Sequence, residues 1–195
     1  MADVVVPWAV PVDRPPERIA VGDLMLERWT RGDLEELFDA ISASIDHLLP
    51  WMAWASHHDC DSVAEFLFES EKGWARGDRF EYAVRDRLGG VVGSVGLMGR
   101  IGPGGLEIGY WVHAAHVRRG IATLAAGALT DAALRLGGVD HVEIHHDEAN
   151  LASGAVPARL GFRDLGVFRG EPNPAPGGTG RDIRWRMDRG EKMSV

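Results

Sequence analysis

At 195 residues, 45% hydrophobic and 26% charged, the chain is long enough for one well-packed domain and short for two. Its net charge of −8 argues against nucleic acid as the main partner, because phosphate backbones are held by surplus Lys and Arg, and mildly favours a cationic acceptor. Cys60 is the single cysteine, which excludes an internal disulfide and a cysteine-rich zinc site. No apolar run reaches roughly eighteen residues and Asp3 stands where a leader would be basic, so neither a membrane span nor secretion is expected, and a cytoplasmic setting is.

Residues 1–16 hold four of the ten prolines and no sustained periodicity, and read as an irregular arm. A first strand is expected near 18–29. In "GDLEELFDAISASI", Asp33 reads as a helix N-cap with Glu36 three residues on, and Leu34, Leu37, Phe38 and Ile41 recur at helical spacing. Pro50 breaks that helix, and a second is expected over about 62–75. "FEYAVRD" alternates as a half-buried strand, "RLGG" turns into "VVGSVGLMGR", and Gly104 with Gly105 leads into "LEIGYWV". "GIATLAAGALTDAALRLG" is strongly helical and is expected to end at Gly137 and Gly138. "VDHVEIHH" follows as a strand, "NLASGAVPARLG" as a short helix interrupted at Pro157, and "GFRDLGVFRG" and "RDIRWRMD" as a closing pair around the surface loop "EPNPAPGGTG". The pattern predicts a mixed α/β fold in a single domain over 17–188, with six to seven strands and a tail over 189–195.

"AAHVRRGIAT" carries the chemistry that composition does not explain. A helix N-terminus already holds roughly half a positive charge and several unpaired N–H groups, so Arg118 and Arg119 ahead of Gly120 are unfavourable unless something negative sits there. Consecutive backbone donors, a glycine permitting close approach and two guanidinium groups make a site for phosphate or diphosphate. Two solvated loop arginines are the alternative. Neither a Walker loop nor a Rossmann fingerprint occurs: "GGVVGS" at 89–94 sits in a hairpin with no helix behind it.

"EIGYWVHAAHVRRGIAT" followed by "NLASGAVPARLGF" resembles the GNAT superfamily of acyl-CoA-dependent N-acyltransferases, in its branch similar to the ribosomal-protein N-terminal acetyltransferases RimJ and RimL. The resemblance covers about residues 15–188, with "GDLEEL", "LPWMAW" and "LGF" in the expected order. It implies a mostly antiparallel sheet with a central splay and about four flanking helices. The family loop is written Q/R-x-x-G-x-G/A; Val117 departs at its first position, while Gly120 and Ala122 fit.

By that resemblance acetyl-CoA is the co-substrate, with no metal. Its diphosphate would sit on Val117, Arg118, Arg119, Gly120, Ile121 and Ala122, with Thr123 nearby, and its pantetheine along Tyr110, Trp111 and Val112. Asn150 matches the asparagine that faces CoA, and reads equally as a helix N-cap. The amine acceptor must attack uncharged, so a base is needed. Glu107, on the splayed strand, is one candidate, and a salt-bridged strand-edge carboxylate is its alternative. His145, sharing a strand face with Glu143, is another, against two surface histidines at a strand end. Glu171 could reach in from the loop. The family's proton-donating tyrosine is absent, since Pro157 occupies its place; the branch uses a serine, and Ser153 matches its "N-x-x-S" spacing. Trp51 and Trp54, with Met52, would form an aromatic wall of the acceptor groove. "HHDC" at 57–60 is spaced too tightly for a tetrahedral metal site.

The expected activity is acetyl transfer to a primary amine, either a protein N-terminus, a lysine or a small molecule, by direct attack in a ternary complex. A non-catalytic acyl-CoA-binding sensor and transfer of another acyl group such as succinyl are the alternatives. A homodimer is common in this branch.

Overall fold

A computed structural model describes residues 13–170 and 175–194. Most of the irregular arm expected over 1–16, and Glu171, lie outside the described residues. Eight strands form one sheet in the order β1-β2-β3-β4-β5-β6-β8-β7. The hairpin β1 (Arg18–Val21) and β2 (Leu24–Arg28) leads to α1 (Leu34–Ser42), the single turn α2 (Ile45–Leu48) and α3 (Cys60–Arg76). Then come β3 (Arg79–Arg85), β4 (Val91–Met98), β5 (Gly105–Val112), α4 (Ile121–Leu134), β6 (His141–Asp147), α5 (Leu151–Leu160), β7 (Arg163–Arg169) and β8 (Arg181–Asp188).

The expected first strand is in fact a hairpin, which makes eight strands among the described residues rather than six or seven. Val21 pairs with Leu24 across Gly22 and Asp23, and Gly22 takes φ +56, a conformation that costs a side-chain-bearing residue about 1–2 kcal/mol. Helices number five among the described residues, the extra one being α2. The second expected helix starts earlier, at Cys60, because Asp59 accepts from the Ser62 N–H at 2.7 Å and caps it. Asp33 does not cap α1 by its side chain; it accepts from the backbone and hydroxyl of Thr30 and closes the turn ahead of the helix. Glu36 does not close a capping box but pairs with Arg85 at 2.7 Å. The third long helix stops at Leu134, three residues short of Gly137.

Side chains alternate across the sheet, as strand geometry requires. Phe80, Tyr82, Leu97, Leu106, Ile108, Val142 and Ile144 join the cluster packed on α4 and α5. Trp29, Leu37, Ile41, Val63, Leu67 and Ala83 form a second cluster with α1 and α3. The described part of the tail is docked: Met193 packs on the first cluster and Ser194 N–H donates to the Leu160 carbonyl at 3.1 Å.

One break in this sheet shapes the candidate site. All strand pairs are antiparallel except β5 with β6, which run parallel and pair only from Gly105 with His141 to Ile108 with Ile144. Beyond that point β5 follows β4 to Val112, and β6 follows β8 to Asp147. The two strands therefore part in mid-sheet, which is the expected central splay.

Candidate active site

The chain leaves β5 at Val112 and reaches α4 through a tight loop. His113 Nδ1 accepts from the Ala115 N–H at 3.1 Å and starts a short 3-10 turn over Ala114–His116. Arg118 then takes φ +63, the only positive φ at a non-glycine among the described residues, and Gly120 takes φ +75. Holding Arg118 there costs about 1–2 kcal/mol. Gly120 is the N-cap and brings no side chain to the helix end, so the N–H groups of Ile121, Ala122 and Thr123 have no helical partner. A Cβ on Gly120 would meet nothing within 4 Å. Open space, free backbone donors, the positive end of the α4 dipole and exposed Arg118 and Arg119 meet at one place. These residues fit an anionic group such as a diphosphate. Tyr110, Trp111 and Val112 lie on the part of β5 that has lost β6 as neighbour, so one edge of that backbone faces the gap.

Where the strands are still paired, Glu107 stands opposite Glu143. Both are buried, at 6% and 8% exposure, and two buried carboxylates side by side need compensation. Arg100 takes both oxygens of Glu107, at 2.8 and 2.5 Å. His145 lies between the two acids, with Nε2 2.7 Å from Glu143 and Nδ1 3.6 Å from Glu107. The hydrogen bond from His145, working against burial, holds the Glu143 carboxyl below the usual carboxylate range. An ionised carboxylate only accepts, so His145 Nε2 donates to Glu143. Glu107 and His145 are thus brought together. Glu107 is salt-bridged as its alternative reading had it, although buried rather than at an edge.

The alternative of two surface histidines is overturned. The His145 side chain is only 14% exposed. His146, on the opposite strand face, is buried; it accepts from Trp185 Nε1 at 3.0 Å and packs so closely on Gly154 that a Cβ there would lie 2.8 Å from its ring.

Two cavities flank this cluster and share Trp51 and Arg100 in their walls. One, of about 670 Å³, is lined by Glu107, Glu143, His145, Asp147 and Arg184 among others. Asp147 organises its far wall. Burial works against its charge, but N–H donors from Ala149, Thr179 and Gly180 hold its carboxyl below the usual range. The other cavity, of about 630 Å³, is mainly apolar and is lined by Trp51, Met52, Trp54, Phe66, Tyr110 and Trp111 together with Glu81. Both expected tryptophans therefore face cavities.

Asn150 is an N-cap, its Oδ1 accepting from the Ser153 N–H at 3.1 Å. Ser153 lies in the first turn of α5, half-buried beside Tyr110. Pro157 does not interrupt α5, which runs unbroken from Leu151 to Leu160. In "HHDC", His57 bonds Ser56, His58 bonds Ser42 and stacks on Phe38, and Cys60 is exposed. Among the described residues no group of His, Cys, Asp or Glu is arranged to hold a metal ion, and no helix is long and apolar enough to cross a membrane.

Sequence reasoning missed Arg100, Asp147 and the hydroxyl of Tyr110. Nothing local marks Arg100, and two of the three backbone donors to Asp147 come from the distant turn ahead of β8. The Tyr110 hydroxyl had a signal, because a proline inside a helix orphans the carbonyl four residues earlier, here that of Ser153.

Comparison with known proteins agrees with this geometry. The chain superposes on RimL, ribosomal L7/L12 alpha-N-protein acetyltransferase in complex with coenzyme A, with a TM-score of 0.81 at 19% identity, covering 88% of this chain and 98% of that one. Microcin C7 self-immunity acetyltransferase MccE, in complex with acetyl-CoA and AMP, gives 0.80 at 21% identity, covering 89% and 97%. Mycobacterium smegmatis RimJ, in complex with CoA-disulfide, gives 0.79 at 21%, covering 90% of each chain. A search of curated proteins returns no match. The profile of the acetyltransferase (GNAT) domain matches residues 23–163, well over half the length, and the chain belongs to the GNAT acetyltransferase family.

Proposed function

We propose that the chain moves an acetyl group from acetyl-CoA to a primary amine, by direct attack in a ternary complex, and that the acceptor is the N-terminus of a protein or peptide. The observation that carries this reading is the parting of β5 from β6. Along one edge of β5 it sets a loop with free donors, an unpaired stretch of strand and a histidine held between two carboxylates.

Acetyl-CoA supplies the activated acyl group as a thioester. Residues 117–123 hold its diphosphate through backbone N–H groups and the two arginines, and the free edge at Tyr110, Trp111 and Val112 takes the pantetheine amides. A backbone N–H at that edge also polarises the thioester carbonyl, where charge develops during attack. An α-amino group of pKa about 7.7–8.0 costs about 1.4 kcal/mol to deprotonate at pH 7, whereas a lysine costs about 4.6. His145 accepts that proton at Nδ1, and Glu143 holds the ring and stabilises the imidazolium. Glu107, fixed by Arg100, keeps a negative charge beside the incoming cation. Ser153 offers its hydroxyl to the departing sulfur. The apolar cavity lined by Trp51 and Trp54 takes the acceptor's first side chains.

The supporting comparison is that RimL is a ribosomal-protein α-N-acetyltransferase. Incubation with acetyl-CoA and peptides bearing free N-terminal serine or alanine tests the reading. Thiol release with a matching acetyl gain at the peptide N-terminus is expected. Acetyl-CoA binding without thiol release to any amine would make the chain a binding module instead.

A further inference from the structure

We propose that Tyr110 is a positioning residue, whose hydroxyl takes the place of the N–H that Pro157 lacks and thereby holds the Ser153 side chain ready for the departing sulfur. The proposal rests on the reading of Ser153 given above.

Pro157 lies within α5, and its ring nitrogen has no hydrogen to give the Ser153 carbonyl four residues before it. A buried carbonyl without a partner is costly. Tyr110 reaches across from β5 and fills the vacancy, donating to Ser153 O at 3.0 Å. The same phenol oxygen lies 3.1 Å from Ser153 Oγ. A carbonyl can only accept, so the Tyr110 hydrogen is committed to it, and a lone pair on the phenol remains to accept the Ser153 hydroxyl hydrogen. Burial pushes the phenol up to about 12, which keeps its hydrogen in place at neutral pH. With Asn150 on its N–H, Ser153 is held at its nitrogen, its carbonyl and its hydroxyl.

The arrangement sets a resting rotamer and a short move from it. As the amine attacks, the new C–N bond forms, the C–S bond breaks and the electron pair goes to sulfur. The amine proton passes to His145 and then to water. The Ser153 hydroxyl turns about its Cβ–Oγ bond from Tyr110 to the thiolate, because a hydrogen bond to an anion is stronger than the neutral one it leaves. The released thiolate then takes its proton from water. The Tyr110 hydroxyl touches none of the reacting atoms; it keeps Ser153 Oγ where the sulfur will be.

Four variants separate this role from a merely structural one. Thiol release from acetyl-CoA is measured at saturating peptide with a free N-terminal serine or alanine, beside melting temperature. Tyr110→Phe is expected to lower kcat about tenfold, within the roughly hundredfold that misplacing a reacting group can cost, and to lower the melting temperature by roughly 2–4 °C. Adding Pro157→Ala returns an N–H to the Ser153 carbonyl, so the double variant should recover the melting temperature but not kcat. With Ser153→Ala as background, Tyr110→Phe should change kcat less than about twofold, as expected when one residue acts through another. Recovery of wild-type kcat in Tyr110→Phe/Pro157→Ala would overturn the proposal alone, reducing Tyr110 to a filler for the orphaned carbonyl. A full kcat loss from Tyr110→Phe in the Ser153→Ala background would overturn it too. Absence of thiol release by the unmodified chain would instead overturn the acyltransfer reading, and this proposal with it.

Discussion

The loop ending in Gly120 and the cluster between β5 and β6 are both charged, and they are assembled in opposite ways. The loop is backbone: two left-handed residues, a helix end without a capping side chain and arginines exposed to water. The cluster is side chains: Arg100, Glu107, Glu143 and His145 come from the β4–β5 turn and two strands and are linked by hydrogen bonds and an ion pair, with both carboxylates buried and His145 partly so. A backbone cradle tolerates changes that keep its φ angles and its charge, whereas a buried ionic cluster tolerates no missing member. The cradle should therefore govern affinity for acetyl-CoA, and the cluster should govern turnover.

The largest expected effect breaks the chemistry and leaves the binding. His145→Gln keeps a polar side chain but loses the proton acceptor, and kcat/KM for peptide acetylation should fall about 10²- to 10⁴-fold while calorimetric affinity for acetyl-CoA stays within about twofold. Retention of most of the activity would move the base to Glu107. Next comes the reverse dissection. Gly120→Val forces a β-branched residue to φ +75, with the side chain in the open space beside the helix end, so Kd should rise at least about tenfold with little change in kcat at saturation. A smaller and more pointed effect follows from Arg118. Replacing it by glycine relieves a strained φ, which is worth about 1 kcal/mol, yet removes a charge. Stability in urea should hold or rise while acetyl-CoA affinity falls and becomes less salt-dependent.

How much of this was legible in the sequence follows the same division. The cradle could be read from "VRRGIAT" because backbone geometry is local: glycine marks the left-handed residue, and the helix behind it is continuous. That Arg118 would also be left-handed was not legible, since nothing about arginine announces it. The hairpin at Gly22 and Asp23 did carry a local signal, and a single strand over 18–29 passed over it. The cluster was half legible. Strand alternation puts Glu143, His145 and Asp147 on one face, but the register that sets Glu107 opposite Glu143 depends on how β5 and β6 align. Arg100 reaches Glu107 from within the β4–β5 turn, and no spacing rule gives that. Propensity alone makes Pro157 a helix breaker; the hydroxyl of Tyr110, arriving from β5, satisfies the carbonyl that the proline orphans.

The smallest effect sharpens the electrostatics of the cluster. Glu143 titrates below its ordinary value of 4.5, so in the folded chain it holds its proton less well than in the unfolded chain. Its contribution to stability is present above about pH 4.5 and is lost as pH falls through the lower folded value. The urea midpoint of Glu143→Gln should lie below that of the unmodified chain at pH 6, and the two should converge as pH falls through that lower value. A gap that does not change with pH would mean that packing, not charge, holds His145 in place.

The division of labour between cradle and cluster is tested most directly by one set of calorimetric titrations with acetyl-CoA, on the unmodified chain, Gly120→Val and His145→Gln. Binding to the unmodified chain and to His145→Gln with the same affinity, together with binding weakened at least about tenfold in Gly120→Val, is the predicted result. Equal affinity in Gly120→Val, or no binding by the unmodified chain, would contradict the assignment of residues 117–123 to the cofactor.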